Sequence, residues 1–172
     1  MLTLICCRRQ QGVTLIELAV TLVILVILAT IGMPSFTSFL RNTELRSASE
    51  TVYQGMQLAR AEAVRRNTRV RFVIGTDTGW TVATDAGTTI QSKPSHESGP
   101  NVSLTLTPTG ATRVTFNSFG RVVANADASN AVTRIDFTAT GGSISRRINI
   151  EAGGNISLCD PTIIATSDPR KC

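Results

Sequence analysis

Glu17 carries the chemistry in this 172-residue chain that most needs explaining. It is the one charged side chain in an apolar run that opens at Val13 and continues to Met33. A carboxylate at the centre of a bilayer costs about 2.5–3.5 kcal/mol, less near the end of a span, so its presence points to a use. Two uses are open: the side chain snorkels to the headgroups, or it meets a cation as poorly solvated as itself. Other reactive sets are missing from the sequence. It has no glycine-rich phosphate loop and no nucleophile elbow, and its acids are scattered without an obvious pair. The single histidine, His96, lies in a Pro/Ser/Gly stretch far from the terminal cysteines, so neither a metal nor any other cofactor is expected, and no enzyme.

The elements around Glu17 make sense together. As a helix, Val13 to Met33 spans roughly 30 Å at about 1.5 Å per residue, enough to cross a bilayer core. Arg8 and Arg9 precede it and favour a cytoplasmic N-terminus, which puts the rest of the chain outside the inner membrane. An ordinary secretory signal places its apolar core before the small-residue cleavage site. Here Gly12 comes first, so a cut after it keeps the helix on the mature protein. The stretch Gly12-Val13-Thr14-Leu15-Ile16-Glu17 resembles the class III leader of type IV pilins and type II secretion pseudopilins. That resemblance implies prepilin peptidase cleavage between Gly12 and Val13, and N-methylation of Val13, which stands where phenylalanine is most common. It also implies that Glu17 pairs with the new N-terminal amine of a neighbouring subunit during assembly.

The four cysteines form two unlike pairs. Cys6 and Cys7 fall in the leader, and no apolar core precedes Cys6 as a lipoprotein signal requires. Cys159 and Cys172 close the chain, and in an oxidising periplasm they read as a disulfide stapling the tail. A loop of that size contributes on the order of 3 kcal/mol in the chain-entropy model. The formal charge is +5, and removing Arg8 and Arg9 with the leader leaves +3, which is little incentive for a nucleic-acid partner.

Gly32-Met33-Pro34 predicts a kink or local melting, because proline removes a backbone donor and crowds the preceding turn. Helical spacing then resumes, with Leu45, Ala48, Val52, Met56, Ala59 and Ala63 on one narrow apolar stripe. The chain therefore divides into a leader (1–12), a transmembrane half-helix (13–33), an amphipathic half-helix packed on the globular domain (34–67) and a β domain with a cysteine-closed tail (68–172). Past Asn67 the period changes to two. Strands are predicted at Arg69–Ile74, Gly79–Ala83, Val102–Leu106, Arg113–Phe116, Arg121–Ala124, Arg134–Thr138, Ile144–Ile150 and Asn155–Cys159, separated by turn-formers. Asp85 to Pro100 is expected to be a mobile loop.

A second resemblance covers nearly all of the mature chain. Leu58-Ala59-Arg60-Ala61-Glu62-Ala63-Val64-Arg65-Arg66-Asn67, Phe116-Asn117-Ser118-Phe119-Gly120-Arg121 and the ending Leu158-Cys159-Asp160-Pro161 … Lys171-Cys172 are similar to the GspH/FimT family. The resemblance implies an α+β fold, a long N-terminal helix packed on a C-terminal domain of two antiparallel sheets. It also implies a single-pass protein of the bacterial inner membrane with a periplasmic domain. The implied partners are prepilin peptidase, the inner-membrane assembly platform, and other minor pilins with the major pilin, or pseudopilins.

The family has three roles: a minor pilin that initiates or caps type IV pili, a minor pseudopilin at the type II secretion tip, and a DNA binder in uptake. The first is the expected one, since the cysteine-closed tail favours the pilus branch, and a cap leaves a loop such as Asp85–Pro100 facing outward. The DNA-binding branch carries Gly-Arg-x-Arg before the penultimate cysteine, where this chain has Gly154-Asn155-Ile156-Ser157 and lacks both arginines. Arg146 and Arg147, one strand earlier, are the substitutes available, though paired arginines on a strand more often mark a solvated edge. Arg60, Arg65, Arg66, Arg69 and Arg71 read as a solvated helix end, with Glu62 one turn before Arg66 and only Phe72 nearby as an aromatic.

Overall fold

The computed structural model describes residues 12–75, 77–94 and 101–172. The expected leader up to Gln11, and His96, lie outside the described residues. Among the described residues one helix, α1 (Leu15–Arg66), precedes nine strands: β1 (Val70–Ile74), β2 (Trp80–Thr84), β3 (Thr89–Lys93), β4 (Val102–Thr107), β5 (Arg113–Phe116), β6 (Val122–Val123), β7 (Arg134–Ala139), β8 (Ser145–Ile150) and β9 (Ile156–Cys159). Two compact units divide after Thr37.

The first unit is the apolar part of α1. Its side chains face outward on every side, as expected of a segment whose solvent is lipid. Thr21 and Thr30 return their hydroxyl protons to the carbonyls of Leu18 and Ile27 at 2.9 and 2.8 Å, so neither presents a free donor. Helical backbone runs on through Pro34, whose carbonyl accepts the Thr37 hydroxyl at 2.9 Å.

The second unit holds the rest of α1 and both sheets. The stripe Leu45, Ala48, Val52, Met56, Ala59 and Ala63 is buried, together with Ser49 and Gly55. One sheet has the order β3-β2-β1-β5-β6 and the other β4-β7-β8-β9, with every neighbouring pair antiparallel. Alternate residues of the strands supply the facing core: Val70, Phe72 and Ile74 from β1, Ile135 and Phe137 from β7, Ile148 and Ile150 from β8. Gly55 is the point of closest approach. A Cβ there would lie 2.9 Å from ring carbons of both Phe72 and Trp80, so the aromatic pair packs directly on helix backbone.

Both ends of this helical segment are tied down. Arg41 donates to the Thr140 carbonyl, and Asn42 exchanges two 3.0 Å hydrogen bonds with Ser143, pinning the β7–β8 turn. At the other end Asn67 takes a left-handed φ of 50°, and the amides of Asn67 and Thr68 close on Val64 and Ala63.

The stretch from Asp85 to Pro100 is not the continuous loop expected. Thr89–Lys93 forms the edge strand β3 on β2, with a register shift between Val82 and Ala83. Most of its side chains are exposed, so it is held by backbone pairing and shows no alternation of polar and apolar residues to reveal it.

Candidate functional site

The N-terminal site is built by a helix start. Gly12, Val13 and Thr14 are non-helical and exposed, and among the described residues nothing lies within 4 Å of a Cβ placed on Gly12. Thr14 then caps α1: its hydroxyl oxygen accepts the Glu17 amide at 3.3 Å, and its carbonyl accepts the Leu18 amide at 3.1 Å. Thr-x-x-Glu is the spacing of a capping box, a signal for the helix start that the apolar run had obscured. Glu17 therefore sits in the first turn, where the helix dipole favours a negative charge. Among the described residues its side chain has no hydrogen bond or ion pair. It is ringed by Leu15, Ile16, Leu18 and Val20, all more than half exposed. The result is a carboxylate without a partner among the described residues, on an apolar cylinder and five residues beyond Gly12.

The tail pair is joined. Cys159 and Cys172 form a disulfide with Cα atoms 5.0 Å apart, and the Asp160 amide donates to the Arg170 carbonyl at 2.7 Å inside the loop it closes.

Arg146 and Arg147 do not form one patch. As neighbours on β8 they point to opposite faces of the sheet. Arg147 binds Asp136 at 2.6 Å, and Arg134 reaches the same carboxylate at 3.2 Å, so one acid is shared by two guanidinium groups. Arg146, opposite Phe137, is half-buried beside Arg46 and Glu50.

Most of the other basic cluster is engaged too. Arg65 and Arg66 grip Glu62, whose carboxyl is held at about 2, well below the usual carboxylate range, by hydrogen bonds from Arg65 and then Arg66. Arg69 approaches Asp85 at 4.0 Å, and Phe72 is buried. The aromatic that reaches this region is Phe119, delivered from the β5–β6 turn. Sequence distance hid it, because it lies more than fifty residues beyond the helix end.

A helix apolar in its first half and amphipathic in its second, followed by two antiparallel sheets, defines the pilin-like class of membrane-anchored subunit. Residues 48–164 match the model of the family described as Type II transport protein GspH, and residues 7–33 match the Prokaryotic N-terminal methylation motif. The chain belongs to the GspH family, whose members are structural pilins and pseudopilins. Among solved structures it is similar to the type IV minor pilin FimU of Pseudomonas aeruginosa (strain PAO1), with 18% identity and a TM-score of 0.54 over 74% of this chain and 99% of that one. FimU in a second crystal form gives 19% identity and a TM-score of 0.49 over 70% and 99%. No curated protein sequence matches the chain.

Proposed function

We propose that this GspH-family subunit is a minor pilin that helps initiate or cap a type IV pilus at the bacterial inner membrane. The observation that carries the reading is Glu17, a carboxylate without a partner among the described residues, in the first turn of an exposed apolar helix and five residues beyond an exposed glycine. On this reading, prepilin peptidase cuts after Gly12 and Val13 becomes the N-terminus, where it is methylated. The Glu17 carboxylate of one subunit receives the N-terminal ammonium of another. Both charges are poorly hydrated in lipid, so meeting relieves both, and losing one leaves the other uncompensated at about 3–5 kcal/mol. The β domain stays in the periplasm and docks on other minor subunits. The disulfide-closed tail and the fold shared with FimU, itself a type IV minor pilin, favour a pilus.

Glu17→Ala tests this. Leader cleavage and membrane level should be unchanged, because removing the carboxylate eases insertion. Pilus number should fall by an order of magnitude or more, since about 3 kcal/mol is over a hundredfold in an equilibrium. Glu17→Gln should behave like the Ala variant. Normal filaments from both variants would mean that Glu17 merely snorkels.

A second reading, a minor pseudopilin at the tip of a type II secretion system, is favoured by the description of the matched family. In that case Glu17→Ala abolishes secretion and leaves pili untouched. DNA uptake is disfavoured, because Arg147 is held in an ion pair with Asp136 and Arg146 lies on the opposite face of the sheet.

A further inference from the structure

We infer that the β5–β6 turn is a docking site for a partner protein that presents an apolar side chain flanked by carboxylates. Phe119 is 82% exposed, the most exposed aromatic of the globular unit, yet its turn is rigidly built. Asn117 accepts the amides of Phe119 and Arg121 on its side-chain oxygen, both at 3.0 Å. Its backbone carbonyl accepts the Gly120 amide, and its own amide donates to the Arg121 carbonyl, both at 2.9 Å. Gly120 takes a left-handed φ of 71°, and the turn rests on α1, where a Cβ on Gly120 would lie 3.1 Å from Arg60 Nε. Gly154 packs from the other side, against the Gly120 carbonyl. The turn's backbone is therefore braced, with the ring standing in water.

A lone exposed apolar residue needs no account, but this one has company. Beside it, an open hollow of about 580 Å³ is lined by Asn117, Phe119, Arg121, Val122 and Val123, at the edge of the five-stranded sheet. Val64, 53% exposed, touches the same turn. The guanidinium groups of Arg60 and Arg121 have no hydrogen bond or ion pair among the described residues, unlike those of Arg65, Arg66 and Arg69. A rigid aromatic with guanidinium groups on its rim is the composition of a binding hot spot.

Charge selects the occupant. A symmetric contact with a second copy would bring the Arg60 and Arg121 pairs face to face, so self-association is opposed. Nucleic acid would find one ring and two free cations, too few for a stacked and phosphate-bound strand. An acidic, partly apolar protein surface satisfies both features. The inference deepens the filament-subunit reading by assigning the face through which the domain meets its neighbour.

The test puts the photo-reactive residue p-benzoylphenylalanine at position 119 of the full chain in its own bacterium, with position 89, on the exposed edge strand, as control. Illumination should give one discrete protein adduct from position 119 and none from 89. The cross-linked peptide should carry Asp or Glu beside an apolar residue. Arg121→Glu should reduce the adduct about tenfold at unchanged chain level, and Lys in place of the partner's carboxylate should restore it. An adduct only with a second copy, an adduct with nucleic acid, no adduct, or indifference to Arg121→Glu would each overturn the site. Recovery of the chain in sheared filaments is scored in parallel, so a failed docking site with filament incorporation intact is distinguished from failure of the filament reading itself.

Discussion

Gly55 is where the packing of helix on sheet can be tested most sharply. In an exposed helix, Gly→Ala stabilises by about 1 kcal/mol, because glycine loses more backbone entropy on folding. At Gly55 the new methyl would stand 2.9 Å from Phe72 Cε2 and from Trp80 Cε2, and 3.0 Å from Trp80 Cδ2. Neither ring is the free end of a flexible chain. Phe72 is 1% and Trp80 5% exposed, and they pack on each other with centroids 5.8 Å apart. Overpacking a core costs typically about 1–3 kcal/mol, so steric cost exceeds propensity and Gly55→Ala should lose about 1 kcal/mol net. Gly55→Val adds two more methyl groups to the same contact and should lose about 3 kcal/mol. The chain has one tryptophan, so Trp80 fluorescence during urea unfolding of the detergent-solubilised protein reports this core directly. At a slope of about 1–3 kcal/mol per molar urea, the Ala midpoint should fall by roughly half a molar and the Val midpoint by at least one. Gly153→Ala, where nothing lies within 4 Å of the added methyl, should be neutral or slightly stabilising. A Gly55→Val protein as stable as wild type would refute this packing.

Three other outcomes are expected. Mass spectrometry of the mature protein should find Val13 at the N-terminus, N-methylated, and an intact leader or a cut beyond Met33 would sink the pilin assignment of this segment. Cys172→Ser should free the tail, speeding amide exchange at Asp160 and Arg170 and lowering unfolding free energy by up to about 3 kcal/mol; unchanged exchange would show that the tail is held without the bond. Glu62 has a folded pKa near 2, depressed below its unfolded value, so its contribution is fully present above the ordinary carboxylate range and is lost as pH falls from about 4 towards 2. Glu62→Gln should flatten the acid limb of the stability curve in that window by lowering stability at neutral pH, so that the two curves converge towards pH 2, whereas an identical acid limb would mean that Arg65 and Arg66 do not hold the carboxylate in solution.

What the sequence determined by itself is local and periodic. The apolar run with its single carboxylate marks a membrane helix, because burial in lipid needs only length and composition. The stripe from Leu45 to Ala63 marks the packed face of the second half-helix, because i, i+3 and i+4 positions share one side of the cylinder whatever they touch. Alternation places most strands within a residue or two, since one face of each is buried. The terminal cysteines, close in sequence, could find each other without help from the rest of the fold.

The tertiary structure decided what depends on contacts distant in sequence. Strand β3 carries no alternating pattern, because most of its side chains are exposed and Ile90 is its one apolar residue on the core, so this edge is specified by the hydrogen bonds of β2. Ser49 and Gly55 are buried by what packs over them, two aromatic rings in the case of Gly55. Arg146 and Arg147 look like one basic pair in the sequence, yet the pleat sends them to opposite faces and Asp136 claims the second. Gly120, between Phe119 and Arg121, comes beside Arg60 because β1, which follows the helix, pairs with β5 and so returns the β5–β6 turn to the helix end. Sheet order is set by which strands bury the most surface together, a sum over the whole chain that no local window contains.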